Sequence, residues 1–184
     1  MSKKSNKKLS FKVALGGIIS AVCLLAMFFS GFLPMLDYAI PTFAGFLMVV
    51  MIVEVDRNWA IATYIAVSLL CPLITPNYQA AALFIVFMGY YPILKFGLDK
   101  SRNMIFKWVV KLLVFNAAIA VFFFLFTKVF ISEDMLEGMD TFGTYTIIIL
   151  WLAANFFFLL YEFALTQLID LYVNWFRKKI LRKK

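Results

Sequence analysis

Apolar residues in this chain run in long unbroken blocks, not in the alternation of a strand or the three-and-four spacing of a helix with one wet face. The blocks cover 13–33, 38–53, 59–74, 79–98, 105–126 and 144–176, and each gap between them carries proline, asparagine or charge. A bilayer crossing takes about 20 predominantly apolar residues as a helix. The pattern therefore predicts an all-α polytopic membrane protein of six transmembrane helices, with a basic segment over 1–12, a membrane domain over 13–176 and a basic tail over 177–184. The second and third blocks are short and are expected to tilt little, to extend into their loops or not to cross the whole hydrocarbon layer. The first block is too long for a signal-peptide core and lacks a small-residue cleavage site after it, so it is expected to remain as a membrane helix.

Composition agrees with that reading. Of 184 residues, 64% are hydrophobic and 15% charged, whereas water-soluble domains use about 45–50% and about 25%. Charge then orients the chain. Six crossings place the N-terminus, the second and fourth loops and the C-terminus on one side, and that side takes every one of the 18 basic residues except Lys128. The positive-inside rule makes both termini cytoplasmic in the cell membrane. Trp59, Trp108 and Trp175 fall at the inner boundaries and Trp151 toward the outer one, where amphipathic rings settle. The net charge of +8 is thus spread over four cytoplasmic segments, which points to anionic lipid as a partner and not to nucleic acid.

Little of the usual catalytic vocabulary is present. With no histidine in the chain, imidazole metal sites and histidine acid–base chemistry are excluded. There is no Gly-rich phosphate loop, no zinc-protease motif and no paired membrane aspartates. The acidic stretch Glu133, Asp134, Glu137 and Asp140 does not have the spacing of a calcium loop, and Cys23 and Cys71 lie in apolar runs as small buried hydrophobes. An enzyme is not expected, nor a cofactor or a metal.

What remains is polar groups within apolar blocks, which are costly and need partners. Glu162, among phenylalanines and leucines, is expected at the depth of Lys95, and an ion pair between them would lock two helices; a proton or cation site, or exposure near the inner surface, is the alternative. Lys107 and Lys111 are expected to snorkel toward headgroups. Asn155 and Asn116 suit either a ligand contact or a bridge between helices. Four of the five prolines, Pro34, Pro41, Pro72 and Pro76, flank the two outer loops that carry Asp37, Tyr38, Asn77, Tyr78 and Gln79. Those five residues, with Asn155, are the candidate solute-binding set, the alternative being ordinary turn residues with interfacial tyrosines. Small residues four apart, Gly16 with Ser20, Gly17 with Ala21 and Ala62 with Ala66, allow close helix approach, within the chain or to a partner.

The basic start, the first helix with Ala14, Gly17 and Ala21, six spans in under 200 residues, outer-loop prolines and a basic tail together resemble the substrate-binding S components of energy-coupling factor (ECF) vitamin transporters. The segment 87–95, FMGYYPILK, is similar to a stretch of small membrane proteins of that kind in Gram-positive bacteria. The resemblance implies a six-helix bundle that takes a vitamin or other micronutrient from outside. It also implies partners, a shared transmembrane subunit and two ATPase subunits, with the first-helix motif docking on the shared subunit through Gly17 and Ala21. A polytopic scaffold of a cell-envelope complex, binding proteins in place of a solute, is the other reading of the same features.

Overall fold

The computed structural model describes residues 2–33, 36–125 and 145–177. Lys128, the acidic stretch 133–140, Pro34 and the tail beyond 177 lie outside the described residues. Every regular element among the described residues is helical: α1 Ser2–Phe29, α2 Ala39–Glu54, α3 Arg57–Ile74, α4 Tyr78–Leu83, α5 Tyr91–Leu98, α6 Met104–Leu125 and α7 Tyr145–Leu171. A π-helical turn, Phe84–Met88, connects α4 toward α5, and a second, Tyr172–Phe176, extends α7. Five segments are long and apolar enough to cross a bilayer: Leu9–Phe29, Arg57–Ile74, Tyr78–Leu98, Met104–Leu125 and Ile148–Phe176. The chain is a multi-pass, all-α membrane protein. The second apolar block forms α2, whose 16 residues extend only about 24 Å at 1.5 Å per residue.

The chain divides into two compact units, Met1–Arg102 and Asn103–Lys184. In the first, α1 lies on α2 and α3, and α2 also lies on the π turn and α5. The inward stripe of α1 is Gly16, Ile19, Cys23 and Met27, continued by Ser30 just past its end, all buried at three- and four-residue spacing. Opposite it, Ile18 and Leu25 are exposed, as lipid-facing residues are. Both cysteines are free and buried, and Cys23 Sγ lies 3.6 Å from the Ala44 carbonyl. At one end Lys12 pairs with Asp56 at 2.6 Å. Asp56 also caps α3 by accepting from the Trp59 amide at 3.0 Å. The Lys12 hydrogen bond first, and that amide second, hold the Asp56 carboxyl below its ordinary value.

The fourth apolar block is not one uniform helix. At the π turn the Gly89 amide reaches the Phe84 carbonyl at 2.8 Å, a five-residue step. The Ile85 carbonyl, which Gly89 would serve in an α-helix, accepts from the Tyr64 hydroxyl at 2.6 Å. Gly45 of α2 makes this turn possible to pack: a Cβ there would stand 2.1 Å from the Met88 carbonyl oxygen.

The second unit is a helical hairpin. Trp151, Asn155, Phe158, Glu162 and Leu165 recur on α7 at spacings of four and three, and Lys111, Phe115 and Asn116 of α6 meet them. Phe115 stacks on Phe158 with centroids 4.4 Å apart. Apart from this seam the two helices are mostly exposed and apolar.

Candidate functional site

Asn77 stands at the start of α4 because its side-chain oxygen accepts from the Ala80 amide at 3.0 Å, an N-cap. That cap turns the other end of the amide outward, and Asn77 Nδ2 donates to Asp37 Oδ1 at 2.6 Å. One hydrogen bond thus ties the loop before α2 to the loop after α3. Next to it Gln79 Nε2 lies 3.5 Å from the Tyr38 hydroxyl oxygen. Tyr38 and Tyr78 are 62% and 55% exposed. Five of the six residues expected to bind solute therefore gather at one end of the first unit.

Two residues that the sequence reading did not name build this end. Gly31, just past α1, has no room for a side chain, since a Cβ would come 2.3 Å from Pro76 Cγ. It brings the chain just past the end of α1 against the loop after α3. Thr42 donates to the Tyr38 carbonyl at 2.7 Å and fixes the first turn of α2. A glycine three residues before Pro34 was the available signal for the first; nothing in the sequence marks Thr42. The resulting surface offers a carboxylate, two amides and two phenols on stiff backbone, a set suited to orienting a small polar molecule by hydrogen bonds while aromatic faces cover it.

Asn155 belongs to the second unit and is engaged there. Its Nδ2 donates to the Trp151 carbonyl at 2.9 Å, and its Oδ1 accepts from Asn116 Nδ2 at 3.2 Å; Asn116 Oδ1 accepts from Trp151 Nε1 at 2.7 Å. Of the two roles open to both asparagines, these bonds describe the helix bridge.

Glu162 takes Lys111 as its partner, at 2.5 Å with each side chain 6% exposed. Lys111 does not snorkel: it is buried, because a carboxylate one helix away is a nearer source of neutralisation than the headgroup layer. Lys95, named from sequence as the partner of Glu162, lies in the first unit. There it is buried, with Nζ 3.1 Å from Asp99 Oδ2.

On α1 the two interleaved small-residue pairs separate by role. Gly16 is buried, and a Cβ on it would touch Met51 and Thr63. Gly17 and Ala21 are exposed, and a Cβ on Gly17 would meet nothing within 4 Å.

Comparison with protein-family models, with curated proteins and with solved structures returns no match.

Proposed function

We propose that this protein is the membrane-embedded substrate-binding subunit of an ECF-type uptake transporter for a vitamin or other micronutrient, crossing the membrane six times with both termini cytoplasmic. The observation that carries the reading is the Asn77 to Asp37 hydrogen bond. It joins the two proline-flanked loops, on the face that the charge distribution assigns to the outside, into one surface of amides, a carboxylate and exposed tyrosines. The open stripe of Gly17 and Ala21 supports the second half of the proposal, a helix face left for a shared transmembrane subunit that would bring ATPase subunits with it. The solute is held by Asp37, Tyr38, Asn77, Tyr78 and Gln79, and the protein itself carries no energy-coupling chemistry.

Extraction in mild detergent followed by mass spectrometry tests this directly. The expected result is a retained small molecule, lost in Tyr78→Ala, together with copurifying ATPase subunits. Recovery of neither, with other envelope proteins captured instead, would replace it with the scaffold reading. A tag fused behind Lys184 is expected to stay protected from an impermeant label added to intact cells; labelling there would invert the topology and place the proposed surface inside.

A further inference from the structure

At the end of the first unit opposite Asp37 and Asn77, the cations are not all committed. Lys12 is paired with Asp56 and Lys95 with Asp99. Arg57 and Lys100 have no acidic partner among the described residues. Yet both are placed. Gly97, in the last turn of α5, leaves a bare strip of backbone on which the Arg57 guanidinium rests: the position of a Cβ at Gly97 would be 3.3 Å from Nη1, 3.5 Å from Cζ and 3.7 Å from Nη2. All three atoms at similar range mean that the planar group lies broadside to α5. Three residues further on, Lys100 Nζ stands 5.2 Å over the Phe96 ring. Asp99, between them in sequence, is the neighbour of Lys95.

Depth decides what these cations face. Arg57 opens the apolar span Arg57–Ile74, and the span Tyr78–Leu98 closes one residue beyond Gly97. Both cations therefore stand where apolar helix gives way to polar loop, the level of the phosphate layer of a bilayer. A guanidinium presents a fork of donors that matches two phosphate oxygens at once, and an ammonium adds a point charge. We infer that Arg57 and Lys100, seated on Gly97 and Phe96, form a binding site for the phosphate of an anionic glycerophospholipid. This is independent of the solute-binding proposal, which concerns the other end of the same helices.

The test is native mass spectrometry of the delipidated full-length protein in detergent, titrated with phosphatidylglycerol and, separately, with phosphatidylcholine. The expected result is saturable phosphatidylglycerol binding that weakens about fivefold for each cation removed in Arg57→Gln and Lys100→Gln, the equivalent of about 1 kcal/mol. Lys8→Gln, which removes the same charge elsewhere, should leave it unchanged. Gly97→Leu keeps every charge and fills the seat, so it should weaken binding as Arg57→Gln does; should it fail to fold, Arg57→Lys, which keeps charge and loses the fork, should still bind less tightly than the parent. Equal losses in Lys8→Gln and Arg57→Gln would overturn the site in favour of general surface charge. Binding of inorganic phosphate at this corner with no preference for phosphatidylglycerol over phosphatidylcholine would overturn the lipid as its occupant.

Discussion

Replacing Lys111 by Met, Glu162 by Leu, and both together measures what the buried ion pair does for the α6–α7 hairpin. The charged atoms are 2.5 Å apart and each side chain is 6% exposed. At an effective dielectric of about 20 their attraction is about 7 kcal/mol. Removing two ions from water costs several kcal/mol each, so the intact pair contributes close to nothing net. Removing one partner is another matter, since it strands the other charge, and that costs about 3–5 kcal/mol. Each single variant should therefore be destabilised by that amount, whereas the double variant, with apolar groups of similar volume, should return to within about 1 kcal/mol of the parent. Unfolding by SDS titration in mixed micelles reads all four proteins. Additive losses in the double variant would refute the argument, because they would mean that the two side chains act separately and that neither compensates the other.

Gly45→Ala should lower stability by about 1–3 kcal/mol or prevent folding, since its methyl would stand 2.1 Å from the rigid Met88 carbonyl; Gly17→Ala, with nothing within 4 Å, should leave thermal stability in detergent unchanged or slightly raised. Asn77→Ala should cost about 1 kcal/mol for the lost cap and a further ~1.5 kcal/mol or more for the bond to Asp37. Asn77→Asp should keep the cap but set two carboxylates together, so that its thermal stability recovers on acidification, and a pH-independent loss would argue against the Asp37 contact. The Asp56 carboxyl lies below its ordinary value of 3.8, so its contribution is present above that value and is lost as pH falls through the lowered one. Lys12→Met should remove most of this acid sensitivity, read as the pH dependence of melting between about pH 5 and pH 3.

Much of the fold was legible because lipid selects on composition. A helix that must be apolar all round announces itself as a block, and the six blocks recur as helices with most ends shifted by a few residues, the fourth broken into α4 and α5 by the π turn, while α1 starts far earlier than its block, at Ser2. The outer cluster was legible for a different reason. Proline restricts the backbone locally, so the segment around Pro76 and Asn77 could be read as a stiff turn before anything was known of Asp37 across from it. Rotation about a helix axis was not legible. Gly16 and Gly17 are neighbours separated by about 100° on the helix, and which of them faces Met51 depends on how α1, α2 and α3 nest. The same holds for Lys111: counting residues along a helix estimates depth, and several lysines sit at depths that suit Glu162.

The sequence by itself determined that this chain is helical and membrane-embedded, and where its stiff polar turns lie, since burial of apolar side chains and satisfaction of backbone hydrogen bonds within one segment depend on that segment alone. The tertiary structure decided which polar group answers which: Asp37 with Asn77, Glu162 with Lys111, Asn116 with Asn155, Arg57 on Gly97. Partner choice depends on distances between helices, set by the collective packing of side chains far apart in the chain.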